Sequence, residues 1–258
     1  GTSLGLINDT FPSPLPPNGV IFEQFNKHGI SWKDYYSNLP TLGVFLPLLS
    51  DPTLRSGIVK IDEFFADAAA GELPSFSLVE PNYDKQSEEN PQDVQYGDQF
   101  VSTVVNAVMS SPNWPKTMLI WTYDEHGGYY DHVPPPAAVP PDDIPPALAP
   151  GDPPGGFDRY GFRVPCAVVS PYSKKRYVSH TIYDHTSILK TVEEKWNLPA
   201  LTRRDANANS LFDMLDFHSK PAFLKPPKLP SAPNPALKAG CQTTGAGTIP
   251  PPSAVSKA

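Results

Sequence analysis

Apolar and polar positions recur along this chain with two different periods, and the switches between them mark its elements. From Val20 to His28 (VIFEQFNKH) the apolar residues fall at helical spacing, and Gly29 supplies a stop. Ile30 to Tyr36 (ISWKDYY) alternates and is aromatic, which predicts a strand. Val59 to Ala70 returns to the helical period and closes at Gly71, and Phe76 to Val79 is a short apolar strand running into Glu80-Pro81. Residues 82–92 are polar and read as a loop. Asp93 is a good N-cap for a helix from Val94 to Met109, with Val94, Phe100, Val101, Val104, Val105 and Val108 on one face. Thr117 to Tyr123 (TMLIWTY) is a nearly continuous apolar run, the signature of a strand covered on both faces. Phe162 to Ser170 (FRVPCAVVS) reads as a second buried strand. Asp184 precedes a helix over 186–197 with Ile188, Leu189, Val192 and Trp196 facing inward, and a short helix is predicted over 206–215.

Helices alternating with buried strands predict an α/β fold with a mostly parallel central sheet flanked by helices. In such sheets ligands bind beyond the carboxyl ends of the strands. The residues that follow Thr117–Tyr123 therefore carry particular weight.

Composition narrows the function classes. With 39% hydrophobic and 18% charged residues the chain folds, and 258 residues suffice for one large domain or two small ones. A net charge of −7, with no basic cluster larger than Lys174-Lys175-Arg176, excludes a nucleic-acid groove. No apolar run reaches the length of a membrane span. The two cysteines, Cys166 and Cys241, read as unpaired thiols. Proline is heavily over-used, with 34 residues, most of them in one tract over Pro134–Pro154 and another over Pro221–Pro252. The first predicts an extended surface excursion, and the second, with the low periodicity after His218, predicts a disordered tail over 219–258.

Directly after the Thr117–Tyr123 run stands Asp124-Glu125-His126-Gly127-Gly128-Tyr129-Tyr130-Asp131-His132. Carboxylate oxygens suit hard divalent cations and imidazole suits transition metals, so the density of ligand-capable side chains points to a metal or acid–base site. The glycine pair lets the backbone turn sharply, folding Tyr129 to His132 back over the site.

The run WTYDEHGGYYDHVPPP closely resembles the hallmark of the phosphoesterase family that holds bacterial and plant phospholipases C and certain bacterial acid phosphatases. FNKHGISWKDYY, FDRYGFRVPCAVVSPYSKK and HTIYDHTSILKTVEEKWNLPALTRRDANANSLFD resemble further segments of that family in the same order. The resemblance covers about residues 20–217. It implies an alkaline-phosphatase-like fold and hydrolysis of phosphate esters, with a divalent metal (Mg²⁺, Ca²⁺, Mn²⁺ or Zn²⁺) held in part by Asp124 and Glu125. His126, His132 and His185 are the candidates for acid catalysis or phosphate contact, and Asp131, Asp184 and Arg159 for substrate binding.

Plainer readings stand beside these. His132 closes the turn onto Asp131, Asp184 and His185 cap a helix, and His28 ends one. Arg159 and Arg163 either bind phosphate or pair with Asp158 or Asp152.

The family also carries an N-terminal Glu-Asn-Arg-Ser-Phe-Asp type motif and a Ser or Thr nucleophile, which have no counterpart here. Residues 1–218 are thus expected to be the C-terminal part of a larger catalytic domain. Where members commonly have His-Pro before the long helix, this chain has Ser87-Glu88-Glu89-Asn90-Pro91. A phospholipase-C-like enzyme is the leading expectation, with a phosphomonoesterase or a non-catalytic binding module as alternatives. The resemblance implies a phosphate-ester or phospholipid substrate and an extracellular or periplasmic location. Oligomeric state is left open.

Overall fold

The structure is a computed structural model that describes residues 4–7 and 11–232. The first regular element is α1 (Ile21–Lys27), which leads into the strand β1 (Trp32–Tyr36). Two short 3-10 turns, Thr41–Val44 and Leu46–Ser50, precede α2 (Pro52–Arg55), β2 (Ile58–Lys60) and α3 (Ile61–Ala70). α3 stops at Gly71, whose left-handed backbone (φ 75°) a side-chain-bearing residue adopts only at a cost. Next come β3 (Phe76–Val79) and the long helix α4 (Val94–Ser110), whose N-cap Asp93 accepts the Gln95 N–H as its sequence position predicts. β4 (Leu119–Thr122), β5 (Cys166–Val169), α5 (Thr186–Trp196) and α6 (Arg203–Asn207) complete the order.

β1 is the middle strand of a parallel sheet in the order β2-β1-β3. Its alternation sorts the two faces. Trp32 joins Ile21, Phe22 and Phe25 of α1, Val192 of α5 and Leu42, Leu48 and Leu54 in one core cluster. Tyr35 points the other way, into a cluster with Phe64 of α3 and Val104, Val105, Val108 and Met109 of α4. Helices therefore cover both faces of the parallel sheet, as in layered α/β folds.

Three expectations need correction. The apolar runs containing β4 and β5 pair with each other antiparallel, in a ladder separate from the parallel sheet, and their residues are half-buried or exposed. A two-stranded ribbon has two edges and cannot be enclosed like a central strand, so continuous apolarity overstated their burial. Val94 is 50% exposed, because the first turn of α4 extends past the helix's contact with the core. The helix predicted over 206–215 divides into α6 and a 3-10 turn at Leu211–Met214.

The first proline tract lacks regular elements apart from a bridge between Ala137 and Arg159, yet it is tied down. Arg204 of α6 donates to the Val139 and Phe157 carbonyls, and Arg203 pairs with Asp143 at 2.7 Å. At the start of the second tract, the indole of the buried Trp114 donates to the Phe223 carbonyl at 2.9 Å. Phe223 and Leu229 pack on the second core cluster, so residues 219–232 continue the fold. The rest of the expected tail, 233–258, lies outside the described residues, as does Cys241; Cys166 is a free thiol. Among the described residues no helix is long and apolar enough to cross a membrane.

Candidate active site

β4 ends at Thr122, and the chain turns at once into the acidic loop. Asp124 Oδ1 accepts the Glu125 N–H at 3.1 Å, and Glu125 Oε2 accepts the Gly127 N–H at 2.8 Å. Gly127 and Gly128 both take positive φ, 64° and 75°. Two left-handed residues in succession would strain any chain with side chains there, and the pair turns the loop so that the Tyr129 N–H reaches the His126 carbonyl at 3.1 Å.

A second segment grips this turn. Asn90 Nδ2 donates to the Gly127 carbonyl at 3.2 Å, and its Oδ1 accepts the Tyr129 hydroxyl at 2.8 Å. Glu88 accepts the Tyr123 hydroxyl. The segment Ser87-Glu88-Glu89-Asn90-Pro91 thus clasps the loop on both sides of its glycine pair.

His185 comes from far along the chain, at the start of α5. Its Nε2 lies 2.8 Å from the Tyr123 carbonyl, one residue before Asp124. A carbonyl only accepts, so this nitrogen carries the proton and Nδ1 is left as an acceptor. His126 Nδ1 faces Glu125 Oε2 at 3.4 Å, and its ring packs edge-on against Phe162 at 4.9 Å. His185 is therefore brought to the backbone at the end of β4, one residue before Asp124-Glu125-His126.

The remaining candidates are engaged elsewhere. His132 has its side chain 84% exposed, with Nδ1 3.7 Å from Asp131, the turn-closing arrangement. Asp184 caps α5 by accepting the Thr186 hydroxyl at 2.6 Å and the Ser187 N–H at 3.2 Å, and it also faces Arg204 at 3.6 Å. Arg159 donates to the Pro135 carbonyl at 2.7 Å and braces the proline tract. Asp131 is held by Arg163 through two parallel bonds of 2.7 and 2.9 Å. The guanidinium brought to the loop is thus Arg163, with neither Asp158 nor Asp152 as its partner. The Arg163 hydrogen bonds hold the Asp131 carboxyl far below the usual carboxylate range.

A model of the Phosphoesterase family matches residues 6–199. The chain belongs to that family. It is 36% identical to the non-specific phospholipase C1 of Arabidopsis thaliana over 83% of this chain and 43% of the relative. It is 32% identical to phospholipase C B of Mycobacterium tuberculosis over 84% of this chain and 49% of the relative. The chain spans somewhat under half the length of these curated relatives.

Residues 124–132 hold two carboxylates adjacent in sequence, Asp124 and Glu125, which match a hard divalent ion in charge and donor type. Among the described residues no three His, Cys, Asp or Glu side chains converge on one point. Asp124 and Glu125 thus fit part of a shell that takes about six oxygens.

One group of polar residues near the loop left little trace in the sequence. Asp34 of β1 and Glu80 at the end of β3 are 0% and 3% exposed. Asp34 Oδ2 accepts the Leu42 N–H at 3.0 Å, and Glu80 accepts the Thr41 N–H at 3.0 Å and the Tyr83 hydroxyl at 3.3 Å. Tyr83 in turn lies within the field of Asp124, linking the pair to the loop. Burial pushes Asp34 up to about 6 and, with the adjacent Asp34 charge, Glu80 up to about 7.

Each group binds its proton more tightly when folded, so its contribution is fully present below the unfolded value near 4 and is lost as pH rises through 6–7. Urea unfolding should therefore show stability falling by about 2–3 kcal/mol from pH 5 to pH 8. Glu193, also raised by burial, acts in the same direction. Glu80→Gln keeps the Thr41 acceptor, and should flatten the slope and raise stability at pH 8. A profile that is level or rises over this range would contradict the assignment.

Proposed function

We propose that this chain forms part of a metal-dependent phosphoesterase of the phospholipase C type, built on an alkaline-phosphatase-like fold. The observation that carries the reading is the contact of His185 Nε2 with the Tyr123 carbonyl, across 62 positions of sequence and one residue before Asp124-Glu125-His126. Family membership and the names of its relatives support the same reaction class.

Asp124 and Glu125 would hold the divalent ion, which supplies Lewis-acid stabilisation to phosphoryl oxygens when bound. Glu125 also orients His126: with Nδ1 turned to the carboxylate, Nε2 is the ring atom that gives or takes the proton at the ester oxygen. The Tyr123 carbonyl fixes the His185 tautomer, so its Nδ1 accepts a hydrogen bond from a hydroxyl or water at the loop. Asn90 and the glycine pair keep the loop in its turn throughout.

The test uses the native polypeptide that carries this chain, assayed on phosphatidylcholine and on p-nitrophenyl phosphate with and without chelator. Diacylglycerol release should exceed phosphomonoester turnover, fall to background on chelation and return with one of Mg²⁺, Ca²⁺, Mn²⁺ or Zn²⁺. Faster phosphomonoester turnover would make the protein a phosphatase. Activity indifferent to chelation would remove the metal from the reading.

A further inference from the structure

Beside the acidic loop lies an open cavity of about 410 Å³, lined by His126, Tyr129, Tyr130, Asp131, Arg163 and Pro165. It contains one carboxylate and one guanidinium, and their exposures differ sharply: the Asp131 side chain is 10% exposed and the Arg163 side chain 63%. Asp131 is saturated on both oxygens. Oδ1 accepts from the Val133 N–H at 3.0 Å and Arg163 Nη2 at 2.9 Å, while Oδ2 accepts from the Arg163 N–H at 3.2 Å and Nε at 2.7 Å. Its charge is neutralised and its lone pairs are turned away from a ligand. A guanidinium carries five N–H groups, and two of them go to Asp131. With the side chain 63% exposed, the other three remain open to a ligand. A salt bridge that served packing alone would cover its arginine; this one buries the acid and presents the base.

Two side chains complete the chemistry of this wall. His126 packs its ring edge-on against Phe162 and turns Nδ1 toward Glu125 Oε2 at 3.4 Å, which leaves Nε2 for a ligand. Tyr130 is 84% exposed and stands at the mouth. A preorganised guanidinium fork is the arrangement that recognises tetrahedral oxyanions, and the imidazole beside it adds a second polar contact.

We propose that this cavity is a subsite for a phosphate-class oxyanion, with Arg163 as the binding residue and Asp131 as the residue that positions it. Taking that oxyanion to be the phosphoryl group of the substrate rests on the phosphoesterase reading; the binding itself does not.

Calorimetric titration of inorganic phosphate into the native polypeptide, with chelator present, tests the subsite apart from any metal. Binding should be of millimolar order and weaken with salt. Arg163→Gln should weaken it about tenfold, and His126→Gln, at a side chain about one-third exposed, should act in the same direction. Arg163→Lys should recover part of the loss, since charge is kept and the fork is not. Asp131→Asn should cost less than Arg163→Gln because the cation survives.

Unchanged phosphate affinity in both Arg163→Gln and His126→Gln would overturn the proposal, and if Arg163→Gln fails to fold, His126→Gln decides alone. Vesicles of phosphatidylcholine with and without phosphatidic acid identify the source. Phosphate-competed binding to the acidic vesicles makes the ligand a lipid headgroup, and phosphate binding without vesicle binding makes it a soluble ester. Either result supports the subsite. Phosphate binding that persists in a polypeptide without hydrolytic activity would keep the subsite and remove the phosphoesterase reading.

Discussion

Asp124→Asn in the native polypeptide is expected to lower phosphate-ester hydrolysis by about 1,000-fold while shifting the thermal midpoint by no more than about 2 °C. The two halves of this prediction come from different features of one residue. Asp124 is exposed, and the hydrogen bond recorded for it is the local one from the Glu125 N–H to Oδ1, which an asparagine carbonyl also accepts. The loop is held in place by Gly127, Gly128, Asn90 and Glu125, none of which leans on the Asp124 charge. What the substitution removes is a formal negative charge at the end of β4, next to the carbonyl that anchors His185. On the proposed reading this charge helps to hold the divalent ion, and its loss would act on the transition state far more than on the fold. Asp158→Asn, an equally exposed acid on the proline excursion, serves as the control and should leave hydrolysis unchanged. If Asp124→Asn retained a tenth of the activity, the carboxylate pair would not be the catalytic centre.

Those features of the site that depend on neighbours in sequence were legible from the chain. The Asp124–His132 cluster, its position after an apolar strand and the turn at Gly127-Gly128 follow from residue types within a few positions of each other. The helix stops at Gly29 and Gly71 and the cap at Asp93 were legible for the same reason. What escaped depends on contacts between distant segments. Arg159 and Arg163 flank the same strand and look alike, and only the course of the chain decides that Arg163 meets Asp131 while Arg159 meets Pro135. Asn90 read as a replaced histidine, and its two bonds to the glycine turn need the loop and the segment before α4 side by side. Asp34 lies two residues after Trp32 and is buried like it, yet a carboxylate there carries no sequence signal for the Leu42 N–H that it satisfies. The apolar runs of β4 and β5 announced strands correctly, but neither their mutual antiparallel pairing nor their partial exposure.

Asp205→Ala should cause the largest loss of stability of any single substitution at the acidic residues described. Asp205 is 0% exposed and sits at the third position of α6 in a capping box with Thr202. One oxygen pairs with the Thr202 hydroxyl; the other accepts the Leu201 N–H at 2.6 Å and the Thr202 N–H at 3.2 Å. Burial alone would raise its pKa, but these bonds and one from Glu193 outweigh it and hold the carboxyl below its usual range. Glu193 of α5 is 4% exposed and is pushed upward by its own burial and by the Asp205 charge, so the pair shares a proton.

Alanine leaves the Leu201 N–H without its acceptor in a buried setting and isolates the Glu193 carboxyl. At about 1–3 kcal/mol for each buried group left unsatisfied, the cost is about 3–5 kcal/mol, or a midpoint lower by about 6–15 °C. Glu193→Gln is the informative partner, because an amide still donates to Asp205 and should cost under about 1 kcal/mol. The damage also has a route to the site. α6 carries Arg204, which binds Val139 and Phe157 of the proline excursion and faces Asp184, the neighbour of His185. Loosening α6 therefore frees the excursion and the start of α5 together, and hydrolysis measured well below the midpoint should fall severalfold in Asp205→Ala but not in Glu193→Gln. A midpoint within 2 °C of the parent protein would mean that water replaces the lost carboxylate, and that α6 does not brace the histidine after all.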